Sequence, residues 1–333
     1  MKRLAQIDAL RGIAAFAVVL YHAFGFRYGE RGVTLFFVIS GFVILVSIRS
    51  KARLGEFAWA RFVRLFPLYW ASMAVAVVAM LLSGDGGALS IERIAANATM
   101  MPLLFQRLAA DAGSLGWRRF DFLDSCYWTL IYELCFYVLA GMAILVLRIR
   151  RPELPCLVWL AAAAFERLTK PIAPPWDVLL TTSTNYAECF VIGIVAYRLY
   201  RREAMWLTLV AALAAEALAL IGFEGELIVK YPVLIGGCGM TVWAASRGWL
   251  RPLDWAPIRF LGRISYALYL THDEVGRVFV WLMGAPLTFS GRLLWLVSAL
   301  VLAAALTFLV ERPAHDALIG LVGRRRAVSL APP

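Results

Sequence analysis

The chain has only three histidines, His22, His272 and His315, and the first two lie in apolar surroundings where an ionisable side chain is costly. His22 follows Arg11 by eleven residues within the stretch 7–26. At 100° per residue that spacing ends about 20° past three full turns, so on a helix the two share a face, with His22 roughly 16 Å further along the axis. Asp8, three residues before Arg11, joins the stripe. A helix bathed in lipid would not carry such a stripe, so it must face a cavity or other helices. An imidazole there suits general-base chemistry on a hydroxyl, since its ordinary pKa is about 6.5. The plainer alternative is a buried histidine bonded to a carbonyl. The register with Arg11 favours function.

Four further clusters carry polar groups into apolar sequence. Arg61 and Arg64, three apart, would be neighbours on a helix, and guanidinium forks match phosphate oxygens. Phe57, Trp59, Phe62 and Phe66 make that segment aromatic as well as basic, which suits a membrane-interface helix or a pocket for a phosphorylated nucleotide. Glu133 is an acid inside an apolar run, with Thr129 and Tyr137 one turn to either side. It would pair with Arg11, orient His22, or form a structural ion pair. Ser265, Tyr269 and His272 fall on one face, followed by Asp273 and Glu274, a polar load that predicts a helix break or a cavity. Glu311, before Arg312 and Pro313, reads most simply as an interfacial acid, with Pro313 as a helix stop.

Some chemistries leave no trace in the chain. It has no HExxH, GxSxG, Walker A or dinucleotide fingerprint. With three histidines a multi-histidine metal site is hard to build, and no metal or permanently bound cofactor is expected. The five cysteines form no CxxC pair and read as small core hydrophobes.

The elements that must position these residues follow from composition. The 333 residues are 62% hydrophobic and only 17% charged, and the mean hydropathy is +0.75. A soluble core cannot hide that much apolar side chain, whereas a bilayer takes about 20 apolar residues per helical span. The pattern predicts an all-α, polytopic transmembrane bundle of about ten spans, near 7–26, 33–48, 66–83, 127–147, 154–166, 185–200, 204–222, 227–245, 264–283 and 291–310. Lys2 and Arg3 before an apolar run resemble a secretory signal, but Asp8 and Arg11 interrupt it, so a retained first span is expected. The net charge of +11 sits in runs between spans and reports topology rather than nucleic acid. With the N-terminus inside, 22 of the 33 Lys and Arg fall in cytoplasmic segments, so both termini are expected there. The longest connection, about 84–126, then faces outward, and its Trp117 and Phe120 would suit a sugar platform or an interfacial helix.

Taken in order, these landmarks resemble a known family, the integral membrane acyltransferase family 3, which modifies surface polysaccharides. Ile7-Asp8-Ala9-Leu10-Arg11-Gly12 with His22 is similar to its arginine-x10-histidine signature, and Gly32 to Phe42, including Ser40, to its second-span signature. Arg61 and Arg64 before Leu65-Phe66-Pro67 resemble its RxxR segment, and Trp128 with Glu133 and Tyr137 its fourth-span pattern. Ile264 to His272 resembles its late signature, and Glu311 with Pro313 its closing one. The landmarks run from 7 to 313 in one domain, 1–333, with a cytoplasmic tail at 314–333.

The resemblance implies O-acylation, most often acetylation, of a carbohydrate or glycolipid hydroxyl by cytoplasmic acyl-CoA as co-substrate, in the inner membrane of a bacterium. By that analogy His22 is catalytic, Arg11 supports it, and Arg61 and Arg64 hold the donor's phosphorylated end. Some relatives carry an added hydrolase-like domain; none follows residue 313 here, so any polysaccharide-assembly partner is expected to be separate. A transporter or flippase, or a structural subunit of an export complex, would also explain the spans without chemistry. The topology has a direct check. A reporter active only in the cytoplasm, fused after Pro333, should be active, and a fusion active only when exported would overturn the orientation.

Overall fold

Inside a bilayer the backbone can satisfy its hydrogen bonds only within itself, and this chain does so as helices. The computed structural model describes residues 4–111, 121–169, 183–203, 206–220 and 227–329, with no strand among the described residues. The helices are α1 (Ala5–Phe24), α2 (Gly32–Ile48), α3 (Leu54–Leu82), α4 (Ile91–Ala98), α5 (Pro102–Asp111), α6 (Trp128–Gly141) and α7 (Glu153–Thr169). They continue as α8 (Ala187–Tyr200), α9 (Trp206–Leu220), α10 (Leu227–Ser246), α11 (Ala256–Met283), α12 (Phe289–Leu306) and α13 (Arg312–Ser329). A helix thus occupies each stretch expected to span. Five segments, Ala5–Phe24, Gly29–Ile48, Leu54–Leu82, Ser125–Val146 and Phe289–Gly320, are long and apolar enough to cross a membrane by length and composition.

Three local expectations are corrected. First, α3 begins a dozen residues before the expected 66, so Arg61 and Arg64 lie on the helix itself. Glu56 in its first turn accepts a bond from the Ala52 amide at 3.3 Å, satisfying a donor that precedes the helix. Second, of the helix break or cavity that the polar load predicts, the break does not occur: α11 runs unbroken from Ala256 to Met283, and its Tyr266 and Tyr269 border cavities. Third, Pro313 does not stop the helix. A π-helical turn, Thr307–Glu311, intervenes, and α13 starts directly after it. A proline in the first turn of a helix forfeits no bond, and the widened turn ahead of it makes room for its ring.

The connection at 84–126 is not a bare loop. Ser90 caps α4 by accepting from the Arg93 amide at 3.2 Å. The Arg93 guanidinium then ties the return strand of chain by donating to the carbonyls of Asp121 at 3.0 Å and Phe122 at 2.5 Å. The proposed sugar platform of Trp117 and Phe120 lies outside the described residues.

Close approach of backbones fixes the bundle at two crossings. A Cβ on Gly12 of α1 would lie 2.3 Å from the Gly262 nitrogen of α11, and one on Gly262 would lie 2.4 Å from the Asp8 carbonyl oxygen. A Cβ on Gly193 of α8 would lie 2.0 Å from the Val38 carbonyl of α2, and one on Gly41 would lie 2.1 Å from that of Phe190. Small residues let membrane helices pack by van der Waals contact where lipid gives no hydrophobic drive. The first crossing also sets register. Ten residues beyond Gly12 and Gly262 stand His22 and His272, and these two meet, so α1 and α11 run parallel and in step.

Buried ion pairs join other helices. Arg198 of α8 bonds Glu153 of α7 at 2.6 Å, and Thr208 of α9 donates to the same carboxylate at 2.9 Å. Arg167 of α7 bonds Glu188 of α8 at 2.9 Å, with Tyr231 of α10 donating to the same carboxylate at 3.0 Å. Breaking either pair would strand a charge away from water.

The glycine crossing makes a testable demand. Gly12→Ala places a methyl group against backbone that cannot yield, and overpacking of this kind costs about 1–3 kcal/mol. The variant should melt several degrees lower in detergent. Gly237→Ala, with nothing within 4 Å of the new methyl, should melt at or above the parent temperature. Equal melting of the two variants would remove the crossing as a constraint.

Candidate active site

The chemistry-bearing residues come together from α1, α2, α3, α6, α11 and the π-helical turn at three levels, with outer denoting the His22 end and inner the Arg61 end. At the outer level the Nδ1 of His22 on α1 lies 2.8 Å from the Nε2 of His272 on α11. Their rings are nearly coplanar and meet edge to edge, with centroids 5.0 Å apart and planes at 11°. His22 is half-buried and lines a cavity of about 540 Å³ with Tyr21, Arg31, Trp128, Tyr186 and Tyr269. His272 is fully buried behind it. Tyr269 donates to the Cys126 carbonyl at 3.2 Å and meets the Thr129 hydroxyl at 3.0 Å, which locks its ring.

The middle level is a narrow polar neck. Arg11, Ser40, Glu133, Tyr266 and Tyr269 line a pocket of about 30 Å³, and Tyr269 also belongs to the outer cavity. Glu133 accepts from Ser40 at 2.7 Å and from Tyr137 one turn on. The sequence left Glu133 to pair with Arg11, to orient His22 or to form a structural ion pair; its hydrogen bonds go to these two hydroxyls, and Arg11 borders the same pocket.

The inner level is basic and aromatic. Arg61 donates to Ser47 at 3.0 Å and stands over the rings of Tyr137 and Phe57, at 5.6 and 5.8 Å from their centroids. Its Nε is buried with no hydrogen-bond partner. Arg64 instead forms an ion pair with Glu311 and lies 5.3 Å over the Tyr266 ring. Glu311 is therefore no simple neighbour of Arg312, whose guanidinium packs on Phe308 at 4.4 Å. Arg61, Arg64, Trp59, Lys51 and His315 border a cavity of about 840 Å³. Tyr137 and Tyr266 thus link the two levels, each touching an arginine on one side and the neck on the other.

Not every sequence candidate reaches the site. Asp8 lies under the α1–α11 crossing, where its carbonyl meets Gly262, and Ser265 spends its hydroxyl on the Gly262 carbonyl at 3.0 Å. Conversely, Cys126, read as a core hydrophobe, lines the outer cavity with its Sγ 3.8 Å from His272 Nε2. Asp124 beside it is fully buried, accepting from the Cys126 amide at 2.6 Å while its other oxygen has no partner. Burial, with Asp273 and Glu274 nearby, pushes its pKa well above the ordinary carboxylate range. No sequence signal pointed to either: the His272 ring beside Cys126 lies 146 residues away, and Asp124 follows Cys126 into the site through the bond to its amide.

His22, Cys126 and His272 hold donor atoms within 4.8 Å of one another, as do Asp124, Cys126 and Asp273. Two imidazole ligands of one tetrahedral zinc ion would have their nitrogens about 3.3 Å apart. The 2.8 Å seen here is shorter and is the distance of a hydrogen bond.

No solved structure matches the chain significantly. The exopolysaccharide production protein ExoZ of Rhizobium meliloti (strain 1021) is 29% identical over 322 residues, covering 90% of this chain and 95% of ExoZ. A family profile described as an acyltransferase domain matches residues 4–312. That match takes in every landmark from the Arg11–His22 stripe to Glu311, and the chain belongs to the acyltransferase 3 family of membrane proteins.

Proposed function

We propose that the protein is a multi-pass O-acyltransferase of a bacterial inner membrane, with both termini in the cytoplasm and about ten spans. It moves an acyl group, acetyl in the simplest case, from cytoplasmic acyl-CoA to a hydroxyl of an exported polysaccharide or glycoconjugate. The observation that carries this reading is the neck. A small pocket lined by Arg11 and Glu133 shares Tyr269 with the histidine-bearing cavity and is joined through Tyr137 and Tyr266 to the arginines of the basic aromatic cavity. The name of ExoZ, which concerns exopolysaccharide production, supports the acceptor class.

The residues divide the work by depth. Arg61, with an unused Nε and an aromatic floor, receives the donor's phosphates, and Arg64 is available to share them once it loosens from Glu311. The thioester arm then lies along the neck between Arg11 and Glu133. The acceptor enters the outer cavity, where Trp128 and Tyr186 offer ring faces to a sugar. His22 removes the proton from the hydroxyl as its oxygen attacks the thioester carbonyl. The tetrahedral intermediate collapses with cleavage of the carbon–sulfur bond, and the CoA sulfur leaves as thiol with the proton His22 had taken. The product is the acyl ester.

Two sets of variants test this in protein reconstituted into vesicles. His22→Gln keeps a polar side chain but cannot accept the proton, and should lower turnover by about 100- to 10,000-fold while acyl-CoA still binds. Arg61→Ala should weaken acyl-CoA binding by roughly 10- to 100-fold, the scale of one charge-assisted hydrogen bond, and leave the acceptor KM unchanged. A parent protein that releases no CoA from acetyl-CoA with any glycan acceptor, yet moves a lipid-linked sugar across the vesicle, would replace this reading with a flippase.

A further inference from the structure

We infer that His272 is a positioning residue that fixes the proton on one particular nitrogen of His22. The inference rests on His22 being the base. Its argument comes from hydrogen-bond bookkeeping around one ring. The Nδ1 of His272 faces two carbonyl oxygens, Leu268 at 3.1 Å and Tyr269 at 2.9 Å. A carbonyl can only accept, so that nitrogen must carry a proton. In the neutral ring the lone pair then sits on Nε2. Nε2 lies 2.8 Å from His22 Nδ1, so His22 must donate there, and its own Nδ1 is protonated. The lone pair of His22 is thereby left on Nε2, across the ring from His272, in a side chain that lines the outer cavity. The arrangement hands the base to the substrate in the tautomer whose bare nitrogen is the one not turned toward His272.

The ring that imposes this choice is itself rigid. His272 is fully buried, and its carbonyl accepts from the Trp295 indole at 2.6 Å. The Trp295 ring in turn occupies the space where Gly276 lacks a side chain, with a Cβ there falling 2.2 Å from its carbons. The parallel α1–α11 crossing holds the two histidines level. A carboxylate usually fills this role beside a catalytic histidine. Here a second imidazole, oriented by its own helix, does so without adding a charge to the buried site.

Histidine side chains labelled with 15N report the tautomer directly, and with only three in the chain the His22→Gln and His272→Phe variants assign them. In the parent protein His22 should show a protonated Nδ1 and a bare Nε2. His272→Phe removes the acceptor and should give a tautomer mixture. Its kcat should fall to the fraction of His22 that still carries the proton on Nδ1, a loss the same spectrum reads, with the acyl-CoA KM unchanged. His272→Gln, whose side-chain carbonyl can accept the same bond, should restore the Nδ1–H tautomer and most of the turnover. A bare Nδ1 on His22 in the parent would overturn the inference, as would a doubly protonated His272 or one equivalent of zinc per chain. So would normal turnover of a folded His272→Phe protein. The parent spectrum decides the matter even if His272→Phe does not fold. Retained turnover in His22→Gln would instead sink the base assignment, whatever tautomer the parent shows.

Discussion

The contact between Gly12 and Gly262 governs most of what this molecule can do. Two helix backbones approach there so closely that neither tolerates a methyl group, and the helices run parallel from that point. Because both rise at the same rate, a residue ten positions along one stands level with the residue ten positions along the other, about 15 Å from the crossing. His22 and His272 occupy those positions. A wider crossing, or one that slipped by a single residue, would rotate one imidazole away by about 100° and dissolve the pair. The separation of the two cavities follows from the same arrangement, since α1 contributes Arg11 to the neck and His22 to the outer cavity.

Polar groups in this bundle are expensive, and the structure meets that cost with hydroxyls and opposite charges rather than with exposure. Glu133 takes two hydroxyl donors, Arg64 takes a carboxylate, and Arg198 and Arg167 each bind a glutamate on a neighbouring helix. Several atoms escape this pattern near the proposed chemistry, among them Trp59 Nε1, Arg61 Nε and one Glu311 oxygen at the inner end and one Asp124 oxygen at the outer end. An unsatisfied donor facing the inner cavity suits a group that waits for an anionic ligand.

What the sequence made legible was local. The periodicity that put Arg11 and His22 on one face needed only one helix, and α1 matches it. Each apolar stretch became a helix, because a run of such residues has few other ways to close its backbone bonds. What stayed hidden was pairing across distance. Nothing in the segment around residue 311 says that Glu311 meets Arg64, because the two lie 247 residues apart. The same holds for Cys126 and His272, and for the glycines that set the register. The continuation through Pro313 was missed for a different reason: a π-helical turn has no composition signature, and proline ordinarily signals an end.

The long separation of the paired histidines also has a consequence for how the protein is made. His22 and His272 lie 250 residues apart. At ribosomal rates of about 5–20 residues per second, the first helix waits roughly 12–50 s after its own synthesis before its partner emerges. During that interval its polar stripe has no α11 to face. The newborn helix must shelter against the insertion machinery, or against α2, which follows it at once. The site would stay incomplete through nearly all of translation, acquiring His272, its register and Glu311 only as the last helices are made.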